Sequence, residues 1–182
     1  MKHYVIILGM PGAGKDTQAD RLAKKFPSVI IKTGDIARER AKEDPEVARI
    51  LADGGLISDE LINAQVAEKM DKAPDSSLII FDGFPRRVKQ AQWLDAVLGE
   101  EATALHACYL EIRRETATHR LLGRQRDDDK MDVITRRLDV FEQETMAVIE
   151  YYRESGRLII VDGEPAPDVI EASMRDIVGT WL

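Results

Sequence analysis

The first residues with an evident chemical use stand in the segment GMPGAGKDTQ near the start of the chain. Gly9, Gly14 and Lys15 fit the G-x-x-x-x-G-K core of a phosphate-binding loop, in which glycines let successive backbone N–H groups point at phosphate oxygens. Lys15 would add a positive charge at the β- and γ-phosphates. The general pattern continues with Ser or Thr as a magnesium ligand, but here Asp16 follows and Thr17 comes next. The segment predicts a nucleotide site with an unexpected acid inside it.

The sequence on both sides of this loop supplies the elements that such a site needs. The preceding HYVIIL is typical of a short buried strand. After the loop, Ala19, Leu22, Ala23 and Phe26 fall at i, i+3, i+4 and i+7, the apolar face of a helix whose N-terminus would aim at the anion. The alternative is a glycine-rich turn with a solvated lysine. The order of strand, loop and helix favours the nucleotide site.

A second candidate segment is LIIFDGFPRR, in which an acid follows four apolar residues. A carboxylate at the C-terminal end of a strand can hold magnesium directly or through water, and Asp82 fits that place. Gly83 permits a tight turn, Pro85 stiffens it, and Arg86 comes to the same edge of the sheet. An ordinary Asp-Gly turn with surface arginines would look similar. Because ligands of α/β sheets bind at the carboxyl edge, we favour a functional site.

Further hydroxyl, glycine and arginine residues occur in KTGDIARER and in HRLLGRQRDDD with the helix after it. A run of arginines and aspartates is usually a solvated surface. If two anionic nucleotides have to be held, however, the same run makes sense as a cationic lid. The residues concerned are Thr33, Gly34, Arg38, Arg120, Arg124, Arg126 and Arg137.

Composition narrows the class of protein. The 182 residues suit one domain, and a net charge of −7 disfavours nucleic acid as a partner, so an anionic ligand must be met by locally gathered arginines. No apolar run is long enough for a signal peptide or a membrane span, which predicts a cytoplasmic protein without membrane contact. Cys108 is the single cysteine and is expected in the core, with neither a disulfide nor a multi-cysteine zinc site. The three scattered histidines receive no role, and no coiled-coil segment suggests more than a monomer.

The hydrophobic pattern predicts an α/β fold. Short runs rich in Val, Ile and Leu alternate with helical segments, as in a parallel sheet with right-handed crossovers. A long helix is expected from about 132 to 155, and Ser58 is expected to cap another. The predicted strands are 4–8, 29–32, 78–81, 106–112 and 158–161.

Taken together, these segments resemble the adenylate kinase family. The matching motifs follow the family order over essentially the whole chain: GMPGAGKDTQ, TGDIAR, GGLISDEL, DGFPRR with a glutamine four residues after its first arginine, RLLGR, RDDDK with RRL downstream, and VDGEP. The resemblance implies a P-loop three-layer sandwich with a five-stranded parallel sheet in a single domain, 1–182. It also implies a helical NMP-binding insertion at about 34–72 and a short lid at about 124–132, without room for a zinc-bearing hairpin.

The activity implied is reversible, Mg²⁺-dependent transfer of the γ-phosphoryl group of ATP to AMP, giving two ADP. The ATP-binding residues implied are Gly12, Ala13, Gly14, Lys15, Asp16, Thr17, Arg120, Arg124, Gly163 and Glu164. Those implied for AMP are Thr33, Gly34, Arg38, Ile57, Gly83, Arg86, Gln90, Arg126 and Arg137. The catalytic group would be Lys15, Arg86, Arg124, Arg126 and Arg137, and Asp82 with Asp16 would hold magnesium through water.

Two positions depart from the family pattern, and two other functions stay open. Asp16 stands where the family usually has glycine, and Ala37 stands where a larger apolar residue is common. One alternative is a kinase for UMP or CMP, although relatives that prefer pyrimidines tend to have asparagine at the position of Gln90. The other is a nucleotide-binding sensor in which Asp16 has abolished phosphoryl transfer. Formation of ADP from ATP and AMP distinguishes these functions.

Overall fold

The computed structural model describes residues 2–74, 78–124 and 130–182, and its centre is a five-stranded sheet in the order β2-β3-β1-β4-β5. Every pairing between neighbours is parallel, so the carboxyl ends of the strands share one edge. The predicted parallel sheet is confirmed, with strand ends shifted by one residue or so. The strands are β1 (His3–Gly9), β2 (Ser28–Lys32), β3 (Leu78–Asp82), β4 (Leu105–Glu111) and β5 (Leu158–Asp162).

Alternation along the central strand divides the core into two apolar layers. Tyr4, Ile6 and Leu8 belong to one buried cluster, whereas Val5 and Ile7 belong to the other. Successive side chains of a strand point to opposite faces, so both faces of β1 must be covered by helices. This gives the three layers that the family resemblance implied.

Helices on one face of the sheet are α1 (Lys15–Ala23), α6 (Arg114–Arg124), α7 (Met131–Val140) and α9 (Pro167–Gly179), which contribute to the cluster around Val5. The other face is covered by α5 (Val88–Leu98), α8 (Met146–Glu154) and part of the segment between β2 and β3. Cys108 is buried in the core, as predicted. In the described part of the chain, no helix combines the length and the apolar character needed to cross a membrane.

The segment between β2 and β3 contains α2 (Thr33–Ala41), α3 (Pro45–Ala52) and α4 (Asp59–Asp71). The Asp44 carboxylate accepts hydrogen bonds from two N–H groups at the start of α3, and Ser58 Oγ accepts one from the Leu61 N–H at the start of α4. Gly54, with a φ of 74°, lies between these two helices in a conformation that glycine adopts without strain. Ser58 is therefore the cap that the sequence predicted.

The long helix predicted at 132–155 contains an irregularity. A π-helical turn at Phe141–Thr145 joins α7 to α8, so the helix is continuous but locally wider. Thr145 is buried by this turn, and its hydroxyl donates to the carbonyl oxygen of Arg86 at 3.1 Å. The apolar period of the sequence does not show one wide turn, because the apolar stripe continues on both sides of it.

Candidate active site

The carboxyl edge of the sheet opens into a pocket of about 380 Å³. Its walls come from the glycine-rich loop after β1, the ends of β2 and β3, the segment around Ile57, and the helices α6 and α7. Residues far apart in the sequence thus meet in one cavity. Those predicted for nucleotide binding that line it are Gly12, Gly14, Lys15, Asp16, Thr17, Thr33, Gly34, Arg38, Ile57, Asp82, Gly83, Arg86, Gln90, Arg120, Arg124 and Arg137.

The other predicted residues lie elsewhere. The side chain of Ala13 is buried in the core beneath the loop, and its N–H donates to the Met10 carbonyl oxygen at 3.0 Å. Gly163 and Glu164 lie beside the pocket, where their carbonyl oxygens accept hydrogen bonds from the Arg120 guanidinium at 2.9 Å and 3.0 Å. Arg126 and most of the predicted lid lie outside the described residues.

The loop after β1 has the backbone that its glycines allow. Gly12 and Gly14 have φ values of 87° and 90°, and a Cβ atom on Gly12 would lie 2.8 Å from the Ala117 carbonyl oxygen. Only glycine fits that approach of the loop to α6. Lys15 folds back over the loop, and its Nζ donates to the carbonyl oxygens of Gly9 and Met10 at 2.8 Å and 3.0 Å. Burial lowers the pKa of the Lys15 ammonium, since charge is costly to desolvate.

Two carboxylates face each other beside this loop. Asp82 ends β3 and is only 5% exposed, whereas Asp16 in the first turn of α1 is exposed to the pocket. Burial raises the pKa of Asp82, the charge of Asp16 and its hydrogen bond to Asp82 raise it further, and Lys15 and Lys32 oppose the shift. Carboxylate oxygens are the ligands that Mg²⁺ prefers. The pair therefore fits a site for Mg²⁺.

Arginines from three elements line the same pocket. Arg86 follows β3, and its Nε donates to the Gly83 carbonyl oxygen at 2.8 Å. Burial lowers the pKa of Arg86, and the charges of Arg137 and Arg38 lower it further. Arg38 is paired with Asp35 at 2.5 Å. Neighbouring cations that repel one another are stabilised by an anion between them, so this cluster is suited to phosphate.

Hydrogen bonds connect two residues that were predicted to bind AMP to the loop after β3. Thr33 is 4% exposed, and its hydroxyl donates to the Gly83 carbonyl oxygen at 2.7 Å. Gln90 is 3% exposed, and its Oε1 accepts from the Arg86 N–H at 2.7 Å. These contacts hold the threonine, the glutamine and the arginine in fixed relative positions at one end of the pocket.

Comparison with known proteins agrees with this arrangement. The family model described as adenylate kinase matches residues 7–157, which include the loop, both carboxylates and all described arginines of the pocket. The chain belongs to the adenylate kinase family. An adenylate kinase from Oenococcus oeni is 36% identical over 185 positions, covering 98% of each chain. The adenylate kinase of Thermus thermophilus is 39% identical over 184 positions, covering 96% of each.

Membership of the adenylate kinase family confirms the resemblance and makes the protein a phosphotransferase of the kinase type. Sequence reasoning missed several residues that line the pocket, among them Lys32 and Thr145. Lys32, whose Nζ lies 2.6 Å from Asp20, could have been found because it is the last residue of β2 at the same edge of the sheet. Thr145 could not have been found from the sequence, because the π-helical turn is what brings it to the pocket.

Proposed function

We propose that the protein transfers the γ-phosphoryl group of Mg²⁺-bound ATP reversibly to AMP, giving two ADP. The observation that supports this best is that Arg86, Arg137 and Arg38 line one pocket together with the glycine-rich loop and Lys15. One phosphate chain on the loop and one phosphate among the arginines would meet between them. Such a pocket can align the two phosphates and stabilise the negative charge of the transferred group, which are the main requirements of phosphoryl transfer.

ATP would occupy the half of the pocket near the glycine-rich loop. The N-terminus of α1 and the loop glycines are suited to its phosphates, and Lys15 would exchange its carbonyl partners for phosphate oxygens. Arg120, already held against the carbonyl groups of Gly163 and Glu164, would stack on the base that these carbonyls border. The proposed ATP set is Gly12, Ala13, Gly14, Lys15, Asp16, Thr17, Arg120, Arg124, Gly163 and Glu164.

AMP would occupy the other half, between α2 and the loop after β3. Its phosphate would displace Asp35 from Arg38 and bind Arg86, while Gln90 would face the adenine base. Gln90 favours AMP over UMP or CMP as acceptor. The proposed AMP set is Thr33, Gly34, Arg38, Ile57, Gly83, Arg86, Gln90, Arg126 and Arg137.

Asp82 and Asp16 would hold Mg²⁺ through water. The ion would neutralise negative charge on the β- and γ-phosphates. Asp82 occupies a fixed place at the end of β3, whereas Asp16 adds a second negative charge on the side of α1. The two acids therefore favour metal-bound ATP over free ATP at this position.

No general base is needed for this reaction. The phosphate of AMP is largely ionised near neutral pH, since its second pKa is about 6. What the residues must do is align two anions and exclude water, which would otherwise receive the phosphoryl group. We propose that closure of the insertion at about 34–72 and of the lid at about 124–132 completes the catalytic set of Lys15, Arg86, Arg124, Arg126 and Arg137.

The setting proposed for this reaction is the cytoplasm, where both nucleotides are available, and the protein would act there as a monomer without nucleic acid, membrane or zinc. A net charge of −7 supports the absence of a nucleic-acid partner. A single buried thiol supports a reducing compartment. Sedimentation and elemental analysis of the purified protein would test the monomer and the absence of zinc.

The function is tested by incubating the protein with ATP, Mg²⁺ and one acceptor at a time, with ADP measured by chromatography. AMP should be consumed with formation of ADP, and CMP and UMP should react far more slowly. Lys15→Met serves as the inactive control. Binding of ATP without ADP formation would support the sensor function instead, and faster reaction with CMP or UMP would support a pyrimidine acceptor.

A further inference from the structure

The side-chain amide of Gln90 is held at both of its polar atoms. Oε1 accepts a hydrogen bond from the backbone N–H of Arg86 at 2.7 Å, and Nε2 donates one to Asp59 Oδ1 at 2.8 Å. A backbone N–H is only a donor and a carboxylate is only an acceptor. Rotating the amide by half a turn would place two donors together at Arg86 and two acceptors together at Asp59. The orientation of the Gln90 amide is therefore fixed before any nucleotide binds.

Asp59 is itself held in place from the opposite side. It lies in the first turn of α4, and its Oδ1 also accepts a hydrogen bond from Arg87 Nη1 at 2.8 Å. The same guanidinium donates to the Ile57 carbonyl oxygen at 3.2 Å and lies 3.4 Å from Glu144. Asp59 lines a second groove and not the nucleotide pocket. Its direct contact with a side chain that lines the pocket is the hydrogen bond from Gln90.

The hydrogen-bonding groups that Gln90 has left match one class of purine. With two contacts made, the amide retains one Nε2 hydrogen and one Oε1 lone pair, and Gln90 lines the pocket. Adenine presents a donor at its 6-amino group and an acceptor at N1, so it can pair with both. A 6-oxopurine such as guanine or hypoxanthine presents an acceptor at O6 and a donor at N1, so both contacts would be mismatched.

We propose that Asp59 is a positioning residue that sets the acceptor specificity, because it fixes the Gln90 amide in the orientation that accepts adenine and rejects 6-oxopurines. This rests on the proposed transfer to AMP. Without Asp59, only the Arg86 N–H opposes rotation of the amide. A 6-oxopurine nucleotide could then be accepted with the amide turned round.

The decisive variant is Asp59→Leu, whose side chain is similar in size but can neither donate nor accept a hydrogen bond. We compare kcat/KM for AMP with that for IMP, which differs from AMP in the purine edge at issue. The ratio of kcat/KM for AMP to kcat/KM for IMP should fall about 10-fold, as expected when one of two hydrogen bonds no longer distinguishes the two bases. The KM for ATP should not change. The matched control is Glu60→Gln, which removes the same charge from the next, exposed residue of α4 and should keep the wild-type ratio.

The possible outcomes separate this inference from the function on which it rests. An unchanged ratio in a folded Asp59→Leu protein, or an equal loss for both acceptors, would overturn the role of Asp59 and leave transfer to AMP standing. Failure of the wild type to phosphorylate AMP would overturn both. If Asp59→Leu does not fold, NMR of the wild type decides. One Gln90 side-chain Nε2 hydrogen, assigned by its loss in Gln90→Ala, should exchange slowly with solvent, and rapid exchange of both would contradict the inference.

Discussion

Asp16 and Asp82 hydrogen-bond to each other through their side chains, although both are acids. Asp82 lies at the end of β3 and is only 5% exposed, and Asp16 lies in the first turn of α1, directly after Lys15. Two carboxylates at hydrogen-bond distance share a proton or a cation, because their like charges repel. The acid at position 16 thus changes the electrostatics of the pocket.

Replacing Asp16 by glycine should raise the Mg²⁺ concentration that gives half-maximal activity. The reason is the loss of one of two carboxylates that would hold the ion. The same change should strengthen binding of ATP in the presence of chelator, because a negative charge that repels the phosphates is removed. Both quantities can be measured by titration. Superimposable curves for wild type and variant would show that Asp16 acts only as a helix-terminal charge, with a contribution of about 0.3–1 kcal/mol.

The same pair predicts how the stability of the metal-free protein depends on pH. The pKa of Asp82 is raised to about 7 in the folded state, so this group stabilises the fold at low pH and its contribution is lost as pH rises towards 7. Asp16→Asn should lower the pKa of Asp82 and so reduce the stability that is lost as pH rises. From pH 4 to pH 8, the free energy of unfolding of the variant should therefore rise by about 1 kcal/mol relative to that of the wild type.

Denaturant unfolding in the presence of chelator, at several pH values, measures this difference. The change in this difference with pH is the quantity that matters. Asp16→Asn also removes a favourable helix-terminal charge, which lowers the free energy of unfolding by a similar amount at each pH where Asp16 is ionised. A constant difference between the two proteins from pH 4 to pH 8 would mean that Asp16 does not influence Asp82.

The fold and much of the site could be predicted from the sequence because strong local patterns specify them. The five apolar runs give strands such as β1, which is buried on both faces, and the glycines of the loop are required by their backbone conformation. Parallel strands then bring Lys15 and Asp82 to one edge without further information. Even the cap at Ser58 follows from a local pattern.

Other features depend on contacts between segments that no local pattern records. The π-helical turn that brings Thr145 to Arg86 leaves the apolar stripe intact, and the contact of Asp59 with Gln90 joins positions that are 31 residues apart. The hydrogen bond between Asp16 and Asp82 likewise exists only once β3 and α1 lie side by side. The roles of individual residues, the limits of the insertion and the lid stay predictions.

Thr145 should support catalysis through the position of Arg86. Its hydroxyl donates to the Arg86 carbonyl oxygen, and Thr145→Val removes that donor with little change in shape. The loss of a buried hydrogen bond costs about 1–3 kcal/mol, and we expect a severalfold fall in kcat/KM for AMP. Thr135→Val is the control, because Thr135 is exposed and bonds only a carbonyl of its own helix. Equal kinetics for both variants would contradict this role.

Arg124 should be required for transfer but not for folding. It lines the pocket at the end of α6, where the predicted lid begins. Arg124→Ala should lower kcat roughly 100-fold, as is typical when one preorganised charge is removed from a transition state. Arg153→Ala, at an exposed ion pair with Glu150 on α8, should leave kcat unchanged. Wild-type kinetics in Arg124→Ala, with an unfolding midpoint equal to wild type, would remove Arg124 from the catalytic set.

The central claim is that the pocket transfers a phosphoryl group between two nucleotides and not to water. Phosphorus NMR of the wild-type protein with ATP, AMP and Mg²⁺ tests it most directly, because it follows every phosphate at once. We predict that each ATP and AMP consumed give two ADP, without inorganic phosphate, and that ADP alone gives ATP and AMP. Release of inorganic phosphate while AMP stays constant, or an unchanged spectrum, would contradict the claim.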